Sequence, residues 1–195
     1  MPEVTSPRVT LPIDPNRPST AGAALLAPEI GAVAAEFSRV TYTRSRLSLR
    51  EFEAARMMTA LINGCRICQN WRSAHDLPLH LKANYGDGRS DLLSAGEAPD
   101  DAFYKAIPDW RNSTIFSARE GVAIEMAEGM GERPKEIARD EAFWRRAHQA
   151  FSDAELVDLG YCIACWMGLG RFTHIMGFDD VCNLPSRQSV VNAVA

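Results

Sequence analysis

Three times along the chain a serine is followed three residues later by a glutamate and then by an apolar run: Ser48-Leu-Arg-Glu51, Ser117-Ala-Arg-Glu120 and Ser152-Asp-Ala-Glu155. This is the capping-box pattern, in which the serine hydroxyl accepts from the backbone N–H three residues on while the glutamate reaches back to the serine N–H. Three helix starts of this strength, with no segment alternating at the two-residue period of a strand, predict an all-α protein. After Ser48 the apolar positions Phe52, Met57, Met58, Leu61 and Ile62 keep helical spacing until Asn63-Gly64 supplies a stop. Ser152 opens the longest run, to Ile175, apolar around much of its circumference (Leu156, Leu159, Ile163, Trp166, Leu169, Phe172), which places it at the centre of the core or of a subunit interface. The segments LSLREFEAARMM, FSAREGVAIEMA and FSDAELVDLGYC also resemble one another, either as a repeated helical unit or because capped amphipathic helices look alike.

A chain of 195 residues with 46% hydrophobic content builds one core. The expected organisation is an extended arm over 1–20, which carries Pro2, Pro7, Pro12, Pro15 and Pro18, then a single helical domain over 21–182 and a C-terminal tail over 183–195. The stretch AGAALLAPEIGAVAAEFSRV predicts one or two short helices meeting near Pro28, and the turn-rich stretch from Asn84 to Pro99 is a candidate lid or contact loop. A net charge of -4 without a basic stretch gives no footprint for a phosphate backbone, so nucleic acid is not an expected partner. Apolar runs are broken well before the roughly 18 residues a bilayer span needs, so no membrane helix is expected. Glu3 and the early prolines do not follow the order of a secretory signal, and a cytoplasmic location is expected.

Of the five cysteines, Cys65-Arg-Ile-Cys68 and Cys162-Ile-Ala-Cys165 form pairs, and Cys182 has no local partner. In a reducing compartment such a pair reads as redox-active or metal-binding, but two thiols alone do not make a zinc site. His148 and His174 read as structural or surface groups, His80 falls near the end of the helix that carries the first pair, and none makes a metal triad, so no metal and no cofactor is expected. The Cys162 pair lies within an apolar helix and reads as inert core, and Trp71 and Trp166 read as packing anchors.

Following Asn63-Gly64, Cys65 should open a second helix running through Trp71 and His75 to about Pro78 or a little beyond. Unpaired N–H groups in its first turn would favour a thiolate, which on this argument makes Cys65 the lower-pKa thiol. Helical spacing continues the Cys65 and Cys68 face through Arg72 and His75. Arg72 suits the holding of a thiolate or a substrate carboxylate, and His75 suits proton transfer near neutral pH. Glu53, twelve residues before Cys65, could fold back across the turn towards the thiols.

Glu53, then Asn63-Gly64-Cys65-Arg-Ile-Cys68 and a polar residue one turn later resemble the active-site motif of the AhpD-like (alkylhydroperoxidase D and carboxymuconolactone decarboxylase) family. The segment FSDAELVDLGYCIACWMGLGRFTHIMGFDD is similar to that family's closing helix, so the resemblance spans roughly residues 40 to 180. It implies a helical bundle that oligomerises as a trimer or hexamer. It also implies a thiol peroxidase in which Cys68 attacks a hydroperoxide or partner disulfide, Cys65 resolves, and a thiol reductant protein restores the dithiol. Ile67 and Arg72 stand where peroxidase-active members carry histidines, so a proton relay would run through Glu53 and either Arg72 or His75. The decarboxylase members lack the cysteine pair. A lyase using Arg72 for a substrate carboxylate and a non-catalytic redox-sensing oligomer are the alternatives.

Overall fold

All three serines cap helices. Ser48, Ser117 and Ser152 each accept from the N–H of the glutamate three residues on, and each glutamate accepts the serine N–H in return. The computed structural model describes residues 6–13 and 19–178. Among the described residues the chain forms ten α-helices and no strand: α1 (Ser19–Leu26), α2 (Pro28–Arg44), α3 (Leu49–Ile62), α4 (Arg66–Asn70), α5 (Ser73–Tyr85), α6 (Asp101–Ala106), α7 (Ala118–Glu132), α8 (Pro134–Ile137), α9 (Glu141–Ala150) and α10 (Asp153–Ile175). The residues beyond Phe178, Cys182 and the expected tail among them, lie outside the described residues.

The capping glutamates also tie helices to one another. Arg50, in the first turn of α3, donates to Glu120 of α7 at 2.6 Å, and Arg119, in the first turn of α7, donates to Glu51 of α3 at 2.5 Å. Arg119 reaches Glu155 of α10 as well, at 2.7 Å. The starts of α3, α7 and α10 therefore gather at one end of the bundle, and two of the similar sequence segments exchange arginine–glutamate pairs reciprocally. Both Glu51 and Glu120 are buried, where an ion pair is screened far less than on the surface.

The centre of the core is α3. Every residue from Glu51 to Ala60 is buried, and the helix packs most closely on α7 and next on α10. Around it lie Phe103, Ile107, Ile124, Phe143, Leu159 and Ile163, all without exposed surface. Each contributes roughly 1.5–3 kcal/mol by leaving water. Helix α10, expected at the centre of the core or of a subunit interface, is only partly enclosed within its own chain. That helix buries Leu156, Leu159, Ile163 and Trp166 but turns Val157, Tyr161, Phe172 and Ile175 to the outside.

Pro28 does separate two helices, but the second is long, at 17 residues, because Pro at its first position costs no hydrogen bond. The described part of the arm lies on its own chain: the Arg8 N–H bonds the Met176 carbonyl, and Leu11 and Ile13 press against Gly22. The loop between α5 and α6 is fastened rather than loose. Leu92 is fully buried, Ser90 Oγ and Asp91 N–H donate to the Tyr42 and Thr43 carbonyls, and Ala95 accepts from Leu49. Helices α6, α8 and α9 had no counterpart in the sequence reading, although Asp100 and Asp140 cap α6 and α9.

Candidate redox site

At the C-terminal end of α3, Asn63 closes the helix and Gly64 takes φ +66°, a left-handed conformation suited to glycine. The turn returns the chain so that the Cys65 N–H bonds the Ala60 carbonyl, and Asn63 Nδ2 fixes it to the Trp166 carbonyl of α10 at 3.0 Å. Cys65 is the N-cap residue of α4, its Sγ accepting from the Cys68 N–H at 3.3 Å. The two cysteines, with Cα atoms 5.3 Å apart, form a disulfide. Cys65 is only 6% exposed, whereas Cys68 is half-buried, so Cys68 is the more accessible residue of the pair.

The single helix expected from Cys65 past His75 is broken. α4 ends at Asn70, Trp71 and Arg72 are extended, and α5 starts anew at Ser73 and runs over Pro78 to Tyr85. The break occurs because Asp76 Oδ2 captures the Arg72 N–H at 2.7 Å and so caps α5. Positions 65, 68, 72 and 75 therefore do not share one helical stripe. Arg72 donates to the Gln69 and Trp71 carbonyls at 2.6 and 2.8 Å and lies 3.8 Å over the Tyr104 ring. His75 is exposed, and its Nδ1 meets Asp76 at 2.6 Å.

Glu53 has no exposed surface and faces inward beneath this turn. Its Oε1 accepts from Arg56 Nε and Ser73 Oγ, both at 2.6 Å, and its Oε2 accepts from Arg56 Nη2 at 3.0 Å and the Tyr104 hydroxyl at 2.5 Å. Burial alone would push this carboxyl up, but the charge of Arg56 and the hydrogen bonds from Arg56, Ser73 and Tyr104 outweigh it and hold the group below its ordinary value. Burial and then the Glu53 charge push the Tyr104 phenol up, so it stays a donor. Arg56 also donates to the Cys68 carbonyl at 2.5 Å and to the Trp71 carbonyl at 2.9 Å. The structure thus links Glu53, through Arg56, to the backbone of Cys68 and Trp71, brings Arg72 in over Tyr104, and leaves His75 on the outer surface.

Arg56, Ser73 and Tyr104 were absent from the sequence reading. Arg56 stands three residues after Glu53 on the same helix, a spacing that signals an ion pair. Tyr104 lies on α6, 51 residues away, and nothing local points to it.

The second pair behaves differently. Cys162 and Cys165 are buried free thiols. Burial and then Asp158 push Cys162 above its ordinary range, and burial raises Cys165. Among the described residues no three His, Cys, Asp or Glu side chains gather to hold a metal, and no helix is long and apolar enough to cross a membrane.

Among solved structures the chain is similar to a protein of unknown function from Agrobacterium tumefaciens for which a role as the antioxidant defence protein AhpD has been suggested. The TM-score is 0.58 at 17% identity, over 86% of this chain and 95% of that one. No family model and no curated protein matches the sequence. The likeness establishes an all-helical fold of the AhpD type.

Proposed function

We propose that this chain is a thiol-dependent oxidoreductase that cycles Cys65 and Cys68 between dithiol and disulfide to reduce a small hydroperoxide or a partner disulfide. The observation that carries the reading is the Cys65–Cys68 disulfide across the first turn of α4, with Cys65 buried and Cys68 the more accessible residue of the two. With a hydroperoxide, the Cys68 thiolate attacks the terminal oxygen, the O–O bond breaks, and the alkoxide takes a proton and leaves as the alcohol. Cys68 is then a sulfenic acid. Cys65 attacks its sulfur, the S–S bond forms, the S–O bond breaks, and the hydroxide leaves as water with the Cys65 proton. A thiol reductant protein returns the two electrons and two protons by disulfide exchange, as a reducing cytoplasm allows.

The difference in exposure supports Cys68 as the attacking thiol, because a nucleophile has to meet its substrate. The N-cap position of Cys65 is a weaker argument for the opposite order, since α4 has only five residues to contribute a dipole. Arg72 lies on the link just after α4, four residues from Cys68, and carries positive charge on the same stretch of chain. Exposed apolar residues on α2 and α10, among them Ile30, Val33, Phe172 and Ile175, favour assembly of copies of the chain into a trimer or hexamer.

The test is to titrate the thiols of the reduced chain, mix it with an organic hydroperoxide and count those lost. Two thiols per chain are expected to disappear, Cys65→Ser should stop at a trapped Cys68 sulfenic acid, and full turnover by Cys68→Ser would refute the assignment. Activity on a lactone acid that survives loss of both cysteines would replace this reading with the lyase.

A further inference from the structure

Arg56 is the largest fully buried side chain of the described residues. A guanidinium taken out of water is tolerated only when it is paired and its N–H groups find acceptors. Glu53 meets the first need with two contacts from the same helix, at 2.6 and 3.0 Å. The rest of the fork leaves α3: Nη1 donates to the Cys68 carbonyl and Nη2 to the Trp71 carbonyl. These two carbonyls lie at the end of α4, a helix of five residues, and helices that short do not hold themselves in water. Its last carbonyls find no N–H further along a helix, because the chain is extended at Trp71 and Arg72; the Arg72 side chain takes that of Gln69 and shares that of Trp71, and the Cys68 carbonyl is held by Arg56. The far side of the break is tied to the same ion pair, since Ser73, the first residue of α5, donates to Glu53.

A carboxylate that takes a proton from a thiol has to offer it a lone pair. The two oxygens of Glu53 already accept four hydrogen bonds, which fills the roughly four lone-pair sites of the group. The charged and titratable groups packed around the pair are Tyr42 from α2, Tyr104 from α6, and Arg72 above Tyr104. Both tyrosines have phenols pushed up by burial, so neither becomes a base near neutral pH.

We propose that Arg56 is the positioning residue of the redox pair, fastening the Cys65–Cys68 turn to α3 through the Cys68 and Trp71 carbonyls, and that Glu53 is its buried counter-ion rather than the proton acceptor of the thiol. The inference rests on the reading of Cys65 and Cys68 as a redox pair and adds what keeps them in register. With the turn held, the two reduced sulfurs remain neighbours and the S–S bond forms with little further loss of chain freedom. With the turn released, the dithiol gains conformations and the disulfide becomes relatively less stable.

The experiment measures the dithiol–disulfide equilibrium of the full chain in glutathione redox buffers. Arg56→Lys keeps the ion pair with Glu53, but one ammonium cannot span the carboxylate and both carbonyls. Glu53→Gln/Arg56→Met removes both charges together and so avoids a lone buried ion. Each variant is expected to retain helical content and a cooperative melt while its equilibrium moves about tenfold towards the dithiol, roughly 30 mV. A role confined to stability would lower the melting temperature and leave the equilibrium where it was. An equilibrium within about twofold of wild type in either folded variant overturns the proposal. So does Glu53→Gln alone if it abolishes thiol loss to hydroperoxide and leaves the equilibrium unmoved, the signature of a lost base. Wild-type cysteines that do not exchange with glutathione at all would remove the redox reading and this one with it. Cysteines that exchange and respond to Arg56→Lys, in a wild type inert towards hydroperoxide, would uphold the role of Arg56 and remove only the peroxidase.

Discussion

Replacing Arg56 by methionine strands the Glu53 carboxylate, which has no exposed surface, without its counter-charge. Breaking one side of a buried ion pair costs about 3–5 kcal/mol, a large part of the roughly 5–15 kcal/mol that holds a typical domain together. Ser73 and Tyr104 still donate to Glu53 and moderate the loss. Removing both charges with Glu53→Gln/Arg56→Met should cost far less than the two single changes summed, giving a coupling above about 3 kcal/mol. The pH dependence separates this account from simple loss of packing. In the wild type Glu53 is held below its ordinary value of 4.5, so the stability it contributes is present above that value and is lost as the pH falls through the lower folded one. In Arg56→Met the stranded carboxyl titrates above its unfolded value, the folded state binds the extra proton, and stability rises on acidification through that window. Urea unfolding followed by far-UV circular dichroism at about pH 8 and pH 5 should therefore show the gap between wild type and variant narrowing at the lower pH. A cost under about 1 kcal/mol, or a gap that does not change with pH, would refute the reasoning.

Two further tests use single features. Gly64→Ala should destabilise by about 1–2 kcal/mol through the left-handed backbone alone, because a Cβ at that position meets nothing within 4 Å. Gly64→Asn should recover part of the loss, and equal melting temperatures for all three chains would show that the turn relaxes. In native, reduced protein at mildly alkaline pH, alkylation with iodoacetamide followed by mass spectrometry should label Cys68 first and reach Cys162 and Cys165 only on unfolding, since burial raises both. Early labelling of Cys162 would contradict the packing of α10.

The sequence reading gives a glutamate and a cysteine pair as the parts of one site, and the structure connects them through Arg56, whose spacing from Glu53 signals the ion pair but not its reach to the Cys68 carbonyl. Glu53 reaches the Cys68 backbone through Arg56, which a reading concerned with acids, thiols and histidines passes over as an ordinary helix arginine. Tyr104 is not legible in the sequence, because no local pattern marks it and its contact with Glu53 spans 51 residues. The stripe through Arg72 and His75 failed for a local reason with a visible sign: Asp76 lies four residues after Arg72 and caps a new helix by taking its N–H.

What the sequence determined by itself is local: three serine–glutamate boxes that start α3, α7 and α10, the Asn63-Gly64 stop, the all-helical class, and the Cys-x-x-Cys placed just after a turn. These depend on hydrogen bonds within four residues and on the conformational range of glycine, so a few letters suffice. The tertiary structure alone decided that α3 lies at the centre, that Arg50 and Arg119 exchange glutamates between helices, and that a buried Glu53–Arg56 pair holds the redox turn. Those outcomes depend on which helices meet. A charge is stable in the interior only where distant elements bring it partners, and no short stretch of sequence records where the partners come from.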